Sequence, residues 1–281
     1  MTSRISTILI IGATSGIGEA FVRRFHSLGK KVIATGRRKD RLDALAQELQ
    51  DLDTRQFDIA DLSCLATNVD SILKDYPRLD SVMINAGVQR SFSMLDPSTS
   101  DPEVIINEIN TNLTAPSLLV RLFIPHLLEL AKAGSKTNLF LTTSSLAYVP
   151  LPFYPTYCPS KAGVHTLAKV LRQELSFAPK EAKNLNIVEI IPPYVDTGLD
   201  DAHRDHVTNL QGGPEKAFPA MPLNEYVDKV FETLEQLDQD GSFKKEIGVG
   251  LGKIVEETWR GSFEKVLEQM GVNVKSKGYR N

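Results

Sequence analysis

Short apolar runs alternate with longer segments of helical periodicity, and this alternation limits the possible folds of the chain more than any other feature. Most runs are rich in Ile, Val and Leu without polar alternation, which is typical of strands buried on both faces of a parallel sheet. Such alternation predicts the α/β fold class, as a doubly wound parallel sheet with right-handed crossovers. The seven predicted strands are 7–11, 31–35, 55–58, 81–85, 138–143, 186–191 and 246–249.

The segments between these strands carry the predicted helices, and we find no internal repeat or linker. The 281 residues are therefore predicted to form a single domain, 1–281. Residues 198–223 are polar and rich in Pro and Gly, and so long a loop predicts a lid over a site, with a solvated excursion as the alternative. The predicted helices are 16–28, 38–49, 62–76, 101–133, 156–177, 225–237 and a C-terminal segment, 253–270.

Net charge and cysteine content limit the partners and the cellular compartment that we expect for the protein. The formal net charge is -3, which argues against a nucleic-acid partner because counterion release needs a basic face. Two cysteines, Cys64 and Cys158, are too few for a disulfide framework and fit a reducing compartment. No run approaches the roughly 20 apolar residues that cross a bilayer, and the histidines lack metal-ligand spacing. We expect a cytoplasmic protein without a metal, a nucleic-acid partner or a membrane partner.

A glycine-rich turn follows the first predicted strand and leads into the first helix. Its residues are Gly12, Ala13, Thr14, Ser15, Gly16, Ile17 and Gly18. Glycines there let the backbone turn sharply and approach a pyrophosphate, whose charge meets the N–H groups at the helix N-terminus. The spacing is G-x-x-x-G-x-G rather than the commonest dinucleotide fingerprint. A plain tight turn is the alternative, but the position after the first strand of an α/β pattern favours a dinucleotide.

The end of the second strand indicates which dinucleotide binds. An acidic residue there holds the adenosine ribose hydroxyls of NAD, whereas an arginine accommodates the 2′-phosphate of NADP. The chain has Arg37 and Arg38 at this place, followed by Lys39, and its first carboxylate is Asp40. A solvated basic helix start is the alternative. We predict NADPH (NADP+) as the cofactor rather than NADH, with Arg37 as the first contact and Arg38 as the second.

Tyr157 and Lys161 lie four residues apart at the start of a predicted helix, so their side chains share one face. Pro159 between them is tolerated in a first helical turn, which places the pair at the rim of the sheet. A nearby ammonium group and a nicotinamide cation favour the phenolate and make Tyr157 a usable acid or base. The spacing of Tyr157 and Lys161 alone is common by chance, and Ser144 and Ser145 at the end of the preceding strand strengthen its interpretation as a catalytic pair.

With these motifs in this order, the chain resembles the classical short-chain dehydrogenases/reductases. The resemblance covers residues 6 to at least 197. It implies a single Rossmann-type sheet, and the presence of the whole Ser-Tyr-Lys-Asn set favours a carbonyl reductase. Segments 110–116 and 191–197 further resemble the branch named after the D-alanine esterification oxidoreductase DltE, whose substrates are poorly defined. The motifs are Gly12 to Gly18, Asp58, Asn85-Ala86-Gly87, Asn112, the Ser-Tyr-Lys set, and Pro192 to Thr197 with Val195 between them.

The resemblance implies a role for each of these positions. Tyr157 would exchange a proton with the substrate oxygen, and Lys161 would bind the nicotinamide ribose. A serine would hold the carbonyl oxygen, and Asn112 would bind a water that links Lys161 to solvent. Among the cofactor contacts, Asp58 would meet the adenine, Asn85 would brace the central strands, and Thr197 would reach the carboxamide or the phosphate, beside Ala86, Gly87, Pro192 and Val195.

Two residues depart from the family pattern, and the identity of the catalytic serine is open. Ile11 and Pro193 stand where the family usually has a threonine and a glycine, which removes one hydroxyl and one N–H donor. The family spacing of serine to tyrosine selects Ser144, whereas the Ser-Ser-Leu-Ala context selects Ser145. We choose Ser145 as the catalytic serine and keep Ser144 as the alternative.

The segment 149–154 between serine and tyrosine is almost wholly apolar. With Val88, Phe92, Tyr194 and the long loop it would line an uncharged pocket, so we predict a small-molecule carbonyl or alcohol substrate that is largely apolar. Arg90 is the one arginine that could reach the mouth. A non-redox cyclase or isomerase and a dinucleotide-sensing protein are the alternative functions. The resemblance also implies a homodimer or homotetramer, through the two long helices.

Overall fold

The computed structural model of the protein describes residues 4–238 and 241–270. Its strands form one sheet in the order β3-β2-β1-β4-β5-β6-β7, and all neighbours pair in parallel. The predicted doubly wound, Rossmann-type α/β fold is confirmed. The strands are β1 (Thr7–Ile11), β2 (Lys31–Gly36), β3 (Asp53–Gln56), β4 (Ser81–Ile84), β5 (Thr137–Thr142), β6 (Leu185–Ile191) and β7 (Glu246–Gly248).

Helices cover both faces of the sheet. One core contains Phe21 and Tyr226 and lies under α1, α2 and α8, while the other contains Leu119 and Phe123 and lies under α3, α5 and α6. Successive side chains of β1 enter opposite cores, as the period of a strand requires. The helices are α1 (Gly16–Ser27), α2 (Lys39–Glu48), α3 (Leu65–Asp75), α4 (Pro102–Ile109), α5 (Ala115–Lys132), α6 (Tyr157–Phe177), α7 (Arg204–Leu210), α8 (Leu223–Glu235), α9 (Leu251–Trp259) and α10 (Lys265–Gln269).

The strand order reverses between β1 and β4, which are neighbours in the sheet. After β1 the chain builds β2 and β3 on one side, and it then returns to β4 and continues on the other side. In such sheets the loops at the carboxyl ends of the strands diverge at the reversal and leave a crevice that binds ligands. The fold thus places the glycine-rich turn after β1 beside the loop after β4.

Two predicted elements differ from the structure. The third strand spans Asp53–Gln56 rather than 55–58, because this edge strand pairs through its backbone with Ile33–Gly36 and its apolar residue, Phe57, lies just beyond it. The predicted helix 101–133 is α4 and α5 joined by a π-helical turn, Asn110–Thr114. A π-turn often marks a functional position in a helix, and this one contains Asn112.

The helical segment Pro102–Lys132 is long and apolar enough to cross a membrane, by length and composition only. Counting uninterrupted apolar residues did not detect it. In the structure Leu119, Phe123 and Leu127 are fully buried in the core of the second face. This packing accounts for the apolar character of the segment.

The C-terminal helical segment begins at Leu251 and contains a second π-turn, Arg260–Glu264, between α9 and α10. Its tryptophan, Trp259, packs on α6: the Nζ of Lys169 lies 3.7 Å from the centre of the indole ring, and the His165 ring lies 5.6 Å away. The tryptophan therefore covers α6 rather than the cleft.

Candidate active site

One cavity of about 1170 Å³ opens at the carboxyl ends of the strands. The loops after β1, β2, β3, β4, β5 and β6 line it, together with the segment 193–221. The lining includes every predicted cofactor residue except Gly18. Those residues are Gly12, Thr14, Ser15, Gly16, Ile17, Arg37, Arg38, Asp58, Asn85, Ala86, Gly87, Tyr157, Lys161, Pro192, Val195 and Thr197.

The glycine-rich turn leaves no room for a side chain at Gly12 or at Gly18. Gly12 has a φ of +89°, and a Cβ on it would lie 2.5 Å from the Cα of Ala86. A Cβ on Gly18 would lie 1.9 Å from the carbonyl oxygen of Gly12, which also accepts a hydrogen bond from the Asn85 amide at 3.2 Å. Gly18 therefore acts by packing behind the turn. These glycines let the backbone of the turn pack closely at the N-terminus of α1, which suits a dinucleotide pyrophosphate.

Arg38 lies against this turn. Its guanidinium donates hydrogen bonds to the hydroxyl of Thr14 at 2.9 and 3.1 Å and to that of Ser15 at 2.7 Å. Arg37 is more exposed, and its guanidinium is 3.9 Å from the Asp58 carboxylate. Two arginines and a serine hydroxyl thus surround the end of β2. This donor set fits a phosphate group on the adenosine ribose.

The predicted catalytic pair begins α6, and both side chains are buried. The Tyr157 hydroxyl is hydrogen-bonded to Ser144. The Nζ of Lys161 lies 5.7 Å from the centre of the Tyr157 ring and donates to the Thr142 carbonyl at 3.0 Å. A Cβ on Gly87 would lie 3.3 Å from this Nζ, so a side chain there would crowd the lysine.

Burial shifts the protonation of this pair. In the protein alone, burial raises the pKa of Tyr157 above its ordinary value, and the hydrogen bond with Ser144 opposes that rise. Burial also lowers the pKa of Lys161 to about 8, against the opposing effect of Glu108. The tyrosine is therefore a proton donor at neutral pH before any cofactor cation adds its field.

The two serines differ in what they contact. The Ser144 side chain bonds to Tyr157 and accepts from the Leu146 N–H at 3.1 Å. Ser145 begins the 3₁₀ turn Ser145–Ala147, and its main-chain N–H donates to the Pro192 carbonyl at 2.9 Å. The geometry favours Ser144, the alternative, over our choice of Ser145, because a carbonyl held by the serine must also meet the tyrosine.

We expect Ser144→Ala to lower kcat for carbonyl reduction by about ten- to a hundredfold, the value of one hydrogen bond to a developing charge. Ser145→Ala keeps the main-chain bond to Pro192 and is the matched control, with kcat within about threefold of wild type by the same argument. Steady-state kinetics of both variants measures this. A large loss in the Ser145 variant alone would reverse the assignment.

Asn112 is fully buried in the π-turn, behind the cavity wall. Its carbonyl oxygen accepts from the Val88 N–H at 2.9 Å. Its amide donates to the Val88 carbonyl at 2.8 Å and to the Ser160 hydroxyl at 3.2 Å. The side chain thus holds the loop after β4 against α6.

The substrate end of the cavity combines apolar and polar side chains. The predicted apolar residues Val88, Val149, Leu151, Tyr154 and Tyr194 line it, whereas Phe92 is buried outside the lining. The predicted lid forms α7 and adds further apolar side chains. Those are Leu199, Val207, Phe218 and Met221.

The expectation of an uncharged pocket is only partly met, because Gln89, Arg90, Asp200 and Arg204 also line it. Arg204 is paired with Asp200 at 2.8 Å. The Nε2 atom of His203 lies 3.3 Å from the Gln89 amide oxygen. Only Arg90 among these residues was named from the sequence. Gln89, Asp200 and His203 lie outside the regular elements, and Arg204 begins the short helix α7 inside a segment predicted as a loop.

A model of the short chain dehydrogenase family matches residues 6–208. The chain belongs to this family. It is 32% identical over 265 residues to the uncharacterized oxidoreductase DltE of Bacillus subtilis (strain 168). The aligned region covers 94% of this chain and 96% of that protein. The predicted DltE-like short-chain dehydrogenase is confirmed, and the chain is an oxidoreductase of this family.

Solved short-chain dehydrogenases share the fold. The enzyme from Sphingobium yanoikuyae in complex with NADPH has a TM-score of 0.74 and 23% identity, covering 98% of this chain and 100% of that chain. An enzyme from Burkholderia phymatum in complex with NAD has a TM-score of 0.72 and 20% identity, covering 96% and 97%. At these identities the likeness establishes the Rossmann-type fold.

Proposed function

We propose that this short-chain dehydrogenase uses NADPH to reduce a ketone or an aldehyde on a largely apolar small molecule, or NADP+ to oxidise the matching alcohol. One observation carries the proposal: the Tyr157 hydroxyl, bonded to Ser144, lines the same cavity as the glycine-rich turn. A proton donor and a dinucleotide cradle in one cavity support carbonyl reduction. The cofactor, when bound, supplies the hydride at its nicotinamide.

The residues of the chain would bind, orient and protonate the substrate. Ser144 donates a hydrogen bond to the carbonyl oxygen and polarises it, and Tyr157 delivers the proton from its hydroxyl. Lys161 stands one turn along α6, where its ammonium group favours the phenolate that this transfer leaves. Asn112 holds the loop after β4 and thereby fixes the wall beside Lys161.

The cofactor preference rests on the end of β2. Structural neighbours hold NADPH in one case and NAD in another, so they support a nicotinamide dinucleotide and leave the phosphate question to this chain. Arg37, Arg38 and Ser15 present donors there, and the first acidic residue after the strand is Asp40 in α2. These side chains favour the 2′-phosphate of NADPH over a free ribose hydroxyl.

We expect Arg38→Gln to weaken NADPH binding by about ten- to a hundredfold, because charged hydrogen bonds to phosphate are lost. NADH, which lacks the 2′-phosphate, should bind as before. Calorimetric titration of both nucleotides measures the difference. Arg41→Gln, which changes an exposed arginine of α2, is the matched control. Equal weakening of NADPH and NADH by Arg38→Gln would contradict the proposed phosphate contact.

The proposed apolar substrate body rests on the wall formed by Leu146, Val149, Leu151, Val207 and Phe218. They come from the segment between the catalytic serine and Tyr157 and from the segment that contains α7. Burial of apolar surface against them would provide most of the binding free energy. A cytoplasmic location and a homodimer or homotetramer stay predictions from the sequence.

A further inference from the structure

Glu108 is a fully buried acidic residue that the reaction described above does not use. It lies in the last turn of α4, four residues before Asn112. One carboxylate oxygen accepts a hydrogen bond from the Arg90 N–H at 2.8 Å. The other accepts from the hydroxyl of Thr156, the residue directly before Tyr157. A buried carboxylate with these partners joins the loop after β4 to the start of α6.

The contacts of Glu108 repeat those of Asn112 at a matching spacing. Asn112 bonds Val88 on one side and Ser160 on the other, while Glu108 bonds positions 90 and 156 in the same way. The two central residues are one helical turn apart, and so are their two partners on α6. Together they form two parallel bridges between the loop and α6.

The position of these bridges on α6 connects them to the chemistry. The first catalytic residue, Tyr157, directly follows Thr156, and the second, Lys161, directly follows Ser160. The Ser160 hydroxyl also donates to the Tyr157 carbonyl at 2.7 Å. Each bridge therefore holds the residue directly before one catalytic residue, and loss of either bridge frees the backbone at that residue.

The charge of Glu108 acts on the same turn. The groups that face the carboxylate are Arg90 from the loop after β4, and Tyr157, Cys158 and Lys161 from α6. Its negative charge raises the pKa of both Tyr157 and Lys161. This charge adds to the rise that burial gives the pKa of Tyr157 and opposes the fall that burial gives the pKa of Lys161. Carbonyl reduction needs a protonated tyrosine and a charged lysine.

We propose that Glu108 is a positioning residue, which with Asn112 clamps the loop after β4 to the first turn of α6 and fixes the Tyr157–Lys161 pair. The inference takes its catalytic meaning from the proposed function. It distinguishes two contributions of Glu108: the hydrogen bonds place the turn, and the charge helps to keep Lys161 protonated against the effect of burial. Glu108→Gln keeps the shape and removes the charge, whereas Thr156→Val removes one bond and keeps the charge.

The charge is tested without cofactor or turnover. We would follow the pKa of Lys161 by NMR titration of the full chain with isotope-labelled lysine Cε, assigned by Lys161→Arg. Loss of a nearby charge in Glu108→Gln should lower this pKa by about one unit. Glu103→Gln, which changes an exposed glutamate of the same helix, is the control and should leave it unchanged. An unchanged pKa in Glu108→Gln would overturn the electrostatic part.

The placement is tested by kinetics. We expect Thr156→Val to lower kcat by about ten- to a hundredfold, since a small misplacement of reacting groups has effects of this size. The Kd for NADPH should stay the same, and Thr156→Ser, which keeps the hydroxyl, should restore kcat. Full kcat in Thr156→Val would overturn the clamp. If the wild type reduces no carbonyl while the lysine pKa still shifts, the proposed function fails and the coupling of Glu108 to Lys161 stands.

Discussion

Tyr157→Phe should lower kcat for carbonyl reduction by about a hundred- to ten-thousandfold, the contribution of a placed proton donor. The phenylalanine keeps the ring and its packing against Tyr154, whose ring centre lies 6.3 Å away. It removes only the hydroxyl that bonds to Ser144. The glycine-rich turn is untouched, so the Kd for NADPH should stay within about threefold. Steady-state reduction and calorimetric titration of the same preparation measure both quantities.

Tyr154→Phe is the matched control for this loss. Tyr154 lines the same cavity, and burial raises the pKa of its hydroxyl to about 12, but the proposed reaction does not use it. We expect its effect to fall on KM rather than on kcat. Full turnover in Tyr157→Phe would remove the tyrosine from the mechanism. Loss of NADPH binding in that variant would show that the change had disturbed the cradle instead.

Glu246→Leu should lower the free energy of unfolding by about 3–5 kcal/mol, the loss when one partner of a buried ion pair is removed. The Glu246 carboxylate is buried under α6 and the second π-turn, where it contacts Lys169 at 2.6 Å, Arg260 at 2.5 Å and Arg172. The leucine would leave three cations without their shared anion. Urea unfolding followed by circular dichroism measures the change.

The control for Glu246→Leu is Asp43→Ala, which removes an exposed ion pair with Lys39. Such surface pairs contribute about 0–1 kcal/mol, so this variant should unfold near the wild-type midpoint. A similarly small change in Glu246→Leu would contradict the structural role of the buried cluster. The catalytic residues lie outside this cluster, and any folded fraction of the variant should retain its activity.

The same carboxylate makes stability depend on pH. Its three cations hold the pKa of Glu246 at about 2, below its ordinary value of 4.5. A depressed pKa means that the folded state favours the ionised carboxylate, so the stabilisation is complete above about pH 4.5 and is lost as pH falls towards 2. In Glu246→Leu the free energy of unfolding should depend less on pH between about 4.5 and 2. If the variant loses stability as steeply as the wild type when the pH falls, other carboxylates cause the loss.

The sheet was predictable because its strands are buried on both faces and its crossovers follow one rule. The unbroken apolar runs of β1, β5 and β6 mark them at the right places. The edge strand β3 was displaced by two residues because it is stabilised by backbone pairing with β2 and carries little apolar signal of its own. The π-turn at Asn112 was not predictable, since one extra residue in a helical turn leaves the apolar periodicity nearly unchanged.

The residues predicted to hold the cofactor come together in the lining of one cavity, Gly18 excepted, whereas the supports of the catalytic pair were not predictable. Glycines at a turn leave a local pattern, whereas the bond between Glu108 and Thr156 joins residues 48 positions apart. Nothing in the sequence near Glu108 marks it as buried and paired. The family spacing of serine to tyrosine selected Ser144, which the geometry favours, whereas the Ser-Ser-Leu-Ala context led to the choice of Ser145. The path of the 3₁₀ turn Ser145–Ala147, which decides between the two, leaves no local sequence pattern.

The most direct test of the proposed function is consumption of NADPH, followed at the nicotinamide absorbance, against a panel of apolar ketones and aldehydes. The proposal predicts turnover with NADPH, weaker turnover with NADH, and preference for carbonyl compounds with apolar bodies. Tight NADPH binding without consumption by any member of the panel would contradict carbonyl reduction. That outcome would favour a dinucleotide-sensing protein or a non-redox enzyme that uses the same cavity.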